Sequence, residues 1–181
     1  IVRTYDFDPE TGHAQIASWV YELQPDLLIG ESLGSIQTLR VRGIPHLFVS
    51  PALGAPDRLV KLAWVCRIPG GKAILHRIWR VKEGDRQPLR FEYDILKKYG
   101  PHWEEARKAA SEGGYNFAFF GARDHYMKSG VVNISTWEEL FGKTYQIYDG
   151  THFMEEEYVY ALLIPKIREI LDGTADVLPR D

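Results

Sequence analysis

The sequence predicts an α/β domain with an open, mostly parallel sheet covered by helices on both faces. Three observations carry that prediction. Short apolar runs bounded by glycine, proline and aspartate alternate with segments of helical periodicity, and strands separated by helices imply parallel pairing through right-handed crossovers. The 181 residues suit one domain, and 45% apolar residues with 13% aromatics are enough to build its core. Finally, the residues best suited to chemistry, Ser32, Asp124 and His152, each follow a predicted strand, at the rim where open α/β sheets bind ligands.

Along the chain, Ile1 to Asp6 reads as a strand ending in the turn-rich run from Asp6 to Gly12. Ile16, Val20 and Leu23, with Trp19 beside them, recur at helical spacing until Pro25 stops the pattern. Asp26 to Ile29 is then a buried strand, residues 33–41 a helix, Gly43-Ile44-Pro45 a turn, and His46 to Ser50 a third strand closed by Pro51. Residues 57–114 break this rhythm. They are charge-rich, mostly helix-like and punctuated at Pro69-Gly70-Gly71, Gly84-Asp85, Gly100-Pro101 and Gly113-Gly114, and they read as a helical insertion within a single domain spanning 1–181. Strand character returns at Tyr115 to Phe120. Ser135-Thr136-Trp137-Glu138 has the form of a capping box, which predicts a helix capped by Ser135. Lys143 to Tyr148 is a last strand, Asp149 to His152 a turn, and Glu155 to Leu171 a helix with Tyr158, Leu162 and Ile170 on its core face.

Composition narrows the function. A net charge of −3 gives no overall electrostatic case for nucleic acid or an anionic membrane, so a small-molecule substrate is the expected partner. Cys66 is the single cysteine; it can form no internal disulfide and belongs to no Cys/His cluster, which predicts a core position and a reducing compartment. No window approaches the roughly 18 apolar residues of a membrane span, and no leader is legible, so a cytoplasmic location is expected. Oligomeric state is not legible in the sequence.

The chemistry is concentrated in Gly30-Glu31-Ser32-Leu33-Gly34, where the apolar run Leu27-Leu28-Ile29 meets a helix-competent segment. A serine hydroxyl is unreactive at its own pKa. It becomes a nucleophile when a sharp strand-to-helix turn presents it to a base and to oxyanion donors. Gly30 and Gly34 lack Cβ atoms, which lets strand and helix approach while Ser32 takes a strained conformation. The Leu33 backbone N–H then lies at a helix N-terminus, suited to a developing oxyanion, and Glu31 is assigned to substrate binding. An imidazole must take the proton and a carboxylate must orient it, roles that fall to His152 and Asp124. Asp149 lies too close to His152 in sequence to serve as the acid, and Asp124 has a rival role as a helix cap. His13, His46, His76 and His102 have no partners at suggestive spacing and are assigned packing roles.

Other chemistries find less support. Gly142-Lys143-Thr144 lacks the earlier glycine of a phosphate-binding loop, position 137 being Trp137, and no Gly-x-Gly-x-x-Gly is present. His152 to Glu155 gives His-x-x-Glu in place of the His-Glu-x-x-His that binds zinc, so neither metal nor cofactor is expected.

The order Ser32, Asp124, His152, with Gly30 to Gly34 as nucleophile elbow, Gly121-Ala122-Arg123-Asp124 as acid turn and Asp149-Gly150-Thr151-His152 as histidine loop, resembles the α/β-hydrolase superfamily. More narrowly, the chain resembles the small bacterial YqiA-like esterases over most of residues 1–56 and 115–171. The resemblance implies hydrolysis of a carboxylic ester or thioester through an acyl-enzyme, with Ser32 as nucleophile, His152 as base then acid, and Asp124 as its partner. Acyl transfer with the same three residues, or a hydrolase fold kept for binding alone, are the alternatives. Superfamily members usually carry a His-Gly-type oxyanion loop after an early strand; none is legible before Ile1 to Asp6, which leaves three readings: an upstream segment supplies the second donor, another backbone N–H substitutes, or the site is inactive. The insertion at 57–114 is expected to act as a lid. Its excess of positive charge assigns Arg77 and Arg80 to an anionic substrate, the alternative being a solvated face on helices whose Leu62, Trp64, Val65, Ile74, Ile78 and Trp79 pack inward.

Overall fold

A computed structural model of the chain describes residues 1–78 and 89–173. In order, its elements are α1 (Pro9–Leu23), β1 (Leu28–Glu31), α2 (Gly34–Leu39), β2 (His46–Val49), α3 (Ala55–Ala63), a 3-10 turn (Trp64–Arg67), α4 (Gly71–Ile78) and α5 (Tyr93–Ser111). There follow β3 (Asn116–Gly121), α6 (His125–Ser129), α7 (Ile134–Phe141), β4 (Tyr145–Tyr148), α8 (Glu156–Tyr158), a π turn (Val159–Leu163) and α9 (Ile164–Leu171). The strands form one parallel sheet in the order β1-β2-β3-β4, with Gly30 beside Phe48, Phe48 beside Ala118 and Gly121 beside Tyr148.

Side chains alternate across a strand, so neighbours face opposite layers. Phe48, Ala118 and Phe120 pack on one side against Ile36 and Leu39 of α2, Trp103, Ala106 and Ala110 of α5, and Trp137 of α7. Leu47, Phe119 and Tyr148 pack on the other against Tyr158, Leu162, Leu163, Ile167 and Ile170. Helices therefore cover both faces, as predicted, and Tyr158, Leu162 and Ile170 hold the core positions expected of them. Pro165 sits in the first turn of α9 and has no N–H to give, and the helical ladder widens to a π turn just before it.

A second apolar cluster joins Ala63, Cys66 and Leu75 to Phe7, Phe91, Ile95, Leu96 and Tyr99, with Leu33 packed on its edge. Cys66 is thus a core residue, its thiol 3.8 Å from the Leu62 carbonyl.

Four expectations change. Ile1 to Asp6 forms no strand: the sheet begins at β1, and without a ladder neighbour this segment is held by side chains instead. The Asp6 N–H donates to Gln15, and Tyr5 lies against Gly12 and Gly34. Residues 57–114 are not one insertion standing apart from the sheet, because α5 within them is a crossover helix of the core. It runs through Gly100-Pro101, since burial of Leu96, Tyr99, Trp103 and Ala106 outweighs the hydrogen bond lost at Pro101. Asn133, not Ser135, caps α7; its Oδ1 accepts from the Ser135 and Thr136 N–H groups at 2.9 and 3.3 Å. Lastly, a Cβ on Gly34 would make ordinary contacts of 3.5 Å or more with Tyr5, so of the two motif glycines only Gly30 is required by space.

Candidate active site

The Gly30 to Gly34 segment turns sharply at the sheet rim. Ser32 has φ of 50°, in the left-handed region that L-residues seldom occupy, and such strain persists only where surrounding bonds over-determine it. Here they do. The Ser32 N–H donates to the Val49 carbonyl at 3.0 Å, and the Ser32 carbonyl accepts from Ser35 at 3.2 Å and Ala52 at 3.1 Å. Beneath the turn, a Cβ on Gly30 would lie 2.8 Å from Thr38 Oγ1 and 3.0 Å from Ser35 Cα, so strand and helix meet only because that position is glycine.

Asp124 and His152 arrive from neighbouring strand ends. Ala122 donates to the Tyr148 carbonyl and Arg123 to the Gly150 carbonyl, each at 2.8 Å, while the Arg123 side chain reaches Asp149. These bonds hold the two loops together. Gly121 permits the approach, since a Cβ there would stand 2.2 Å from the Thr151 carbonyl oxygen. Asp149, 79% exposed at its side chain, is a turn residue as expected. Glu155 Oε1 accepts from the Thr151 N–H at 3.0 Å and braces the residue before His152.

The three predicted side chains meet. His152 Nδ1 lies 2.8 Å from Asp124 Oδ2, and His152 Nε2 lies 2.8 Å from Ser32 Oγ. An ionised carboxylate only accepts, so Nδ1 carries the proton and Nε2 is left free to accept from the serine hydroxyl. The Asp124 side chain has no exposed surface and that of His152 only 3%. Asp124 also caps α6, its Oδ1 accepting from the Tyr126 N–H at 2.8 Å; the cap and acid roles coexist on separate oxygens.

Leu33 follows Ser32 directly, and among the described residues its N–H has no acceptor. Glu31 ends β1 with its side chain exposed beside the turn, and Arg77 is exposed on α4. Arg80 lies outside the described residues. His46, His76 and His102 have packing partners in Asn116, Phe91 and Gln37.

Sequence reasoning missed several neighbours of the site. The Tyr126 and Phe153 rings stand 4.6 and 5.0 Å from the His152 ring, centroid to centroid, and Phe153 is 61% exposed. Phe153 directly follows His152 and Tyr126 lies two residues after Asp124, a signal that was available. Ser50, fully buried at the end of β2 with φ of 44°, carried none.

Parallel strands, a strained serine turn after the first of them, and an acid and a histidine from the last two make up a recurrent arrangement, and comparison with solved structures finds it again. A monoacylglycerol lipase from Paleococcus ferrophilus superposes with a TM-score of 0.55 at 18% identity, covering 94% of this chain and 77% of that one. The chain has the α/β-hydrolase fold. A carboxylesterase of the thaumarchaeon Nitrososphaera gargenis matches with a TM-score of 0.53 at 13% identity, over 96% of this chain and 76% of its own. No family model and no curated protein matches the chain. Within the α/β-hydrolase fold, the strand ends that carry Ser32, Asp124 and His152 are successive neighbours or next neighbours along one rim.

Proposed function

We propose that the chain is a serine hydrolase of carboxylic esters or thioesters, with Ser32 as nucleophile, His152 as general base and Asp124 as its orienting acid. The observation that carries this is the pair of 2.8 Å contacts through which one imidazole bridges a strained serine and a buried carboxylate. The esterase and lipase named for the two similar structures support the same reaction class, as does the resemblance to YqiA-like esterases.

Ser32 Oγ attacks the substrate carbonyl carbon as its proton passes to His152 Nε2. The imidazolium is stabilised by Asp124, and the carbonyl oxygen, now an oxyanion, accepts from the Leu33 N–H. When the tetrahedral species collapses, the leaving alcohol or thiol takes the proton from Nε2 and the acyl group stays on Ser32. Water then repeats the sequence, losing its proton to His152 and releasing the acid. Glu31 and Arg77, with Arg80, are assigned to substrate; of the lid expected at 57–114, the described part before α5, up to Ile78, keeps that assignment, because its underside packs in the cluster that also holds Leu33.

Turnover of a short p-nitrophenyl ester tests the reading. Ser32→Ala and His152→Ala are each expected to lower kcat by about 10⁴-fold or more. Turnover that survives either substitution contradicts the assignment.

A further inference from the structure

Net charge hides a local segregation. Residues 58–78 hold Arg58, Lys61, Arg67, Lys72 and Arg77 and no acidic residue, although acids outnumber bases 25 to 22 in the chain. The same 21 residues expose Trp64, Ile68, Ile74 and Ile78, each more than half accessible. The alternative reading of this stretch packs Leu62, Trp64, Val65, Ile74, Ile78 and Trp79 inward; Leu62 and Val65 do join Cys66 and Leu75 in the interior, Trp64, Ile74 and Ile78 remain outside, and Trp79 lies outside the described residues. Ile74 and Ile78 are one turn apart on α4. Trp64 has the Arg67 guanidinium 5.7 Å and the Lys97 ammonium 5.8 Å from its ring centroid.

Exposed isoleucines and a tryptophan among cations that form no salt bridge with a described residue are ill suited to water alone. They match an anionic bilayer: the apolar groups enter the headgroup boundary while the cations meet lipid phosphates. The geometry points to α3, the following 3-10 turn and α4 as a docking surface for a membrane containing anionic phospholipid. Their inner side packs with Leu33, directly after the proposed nucleophile, so docking would place the rim of the sheet close to the lipid. In this respect the inference rests on the proposed ester hydrolysis, since a docked hydrolase would draw its substrate from lipid esters.

Co-sedimentation of the full chain with vesicles tests it, using phosphatidylcholine alone and phosphatidylcholine with a third of phosphatidylglycerol. Binding is expected to favour the mixed vesicles at least tenfold and to fall as salt rises. The pair Ile74→Ser and Ile78→Ser, at exposed positions, is expected to weaken it about tenfold; the pair Lys61→Glu and Lys72→Glu is expected to remove the preference for anionic lipid. No binding, equal binding to both compositions, or binding unchanged in the variants overturns the proposal. So does retention on heparin without vesicle binding, which would assign the patch to a soluble polyanion. Turnover of the short soluble ester is measured in parallel. Intact turnover with no vesicle binding defeats docking alone, whereas vesicle binding without turnover defeats the hydrolase reading alone.

Discussion

At the scale of single residues, the site depends on Ser32 holding a conformation it would not choose. A left-handed serine costs about 1–2 kcal/mol relative to glycine, and Ser32 at φ of 50° bears that cost where the hydroxyl must face His152. Ser32→Gly is therefore expected to abolish turnover while raising stability by about 1 kcal/mol, read from denaturant unfolding. Stability that stays level or falls would show that the turn stores no strain. Asp124 separates its two tasks by oxygen atom, one on the Tyr126 N–H and one on His152 Nδ1. Asparagine caps as well as aspartate but cannot hold the imidazole in the same tautomer. Asp124→Asn should thus cost about 10⁴-fold in kcat and leave the thermal midpoint within a few degrees. A large loss of stability would show that its structural role dominates.

At the scale of elements, the site is a matter of how closely loops may approach. Gly121 ends β3 against the Thr151 and Gly150 carbonyls, and an added methyl must push the histidine loop away. Gly121→Ala should lower kcat by at least about 100-fold, the cost of misplacing a catalytic group by roughly 1 Å; unchanged kcat would mean that the loop yields without moving His152. In α7, Asn133→Ala should cost about 1 kcal/mol and Ser135→Ala almost nothing, the reverse of what the capping-box pattern suggests. The two residues show what local sequence can and cannot specify. A capping box was legible, but the chain offered two acceptors two positions apart, and the choice between them is made by where Val132 and Trp137 are buried. The elbow, the acid turn and the histidine loop were legible because turn chemistry is local. Tyr93–Ser111 was not. Its glycine, proline and charges suggest an interrupted, solvated insertion, and only the layer beneath the sheet makes it one continuous helix. Ile1 to Asp6 failed for a related reason, since alternation describes a side-chain pattern and a strand also needs a ladder partner.

At the scale of the whole molecule, three helices are tied beneath the sheet by one buried histidine. Arg40, which caps the C-terminus of α2, can only donate, so His102 Nδ1 accepts from it; Nε2–H then donates to Gln37 at 2.9 Å, and Gln37 in turn donates to the Pro9 carbonyl of α1. Burial, then the Arg40 charge and the neighbouring His13, push His102 down to about 3, with Asp8 opposing. The unfolded chain binds that proton near pH 6.5 while the folded one refuses it, so stability rises with pH between about 3 and 6.5 and is lost as pH falls below 6.5. Burial lowers His46 as well, in the same sense. Denaturant midpoints should fall from pH 7 to pH 5, and His102→Gln should flatten that decline; an unaltered slope would exclude His102 as its source. The sheet order, the two helical layers and the meeting of residues 32, 124 and 152 all serve one claim, that Ser32 is activated by His152. A fluorophosphonate, which reacts only with an activated serine, tests it most directly. A single adduct is expected, located by peptide mass spectrometry on Ser32 and abolished by both Ser32→Ala and His152→Ala. An unlabelled wild-type chain, or equal labelling of Ser32→Ala, would contradict it.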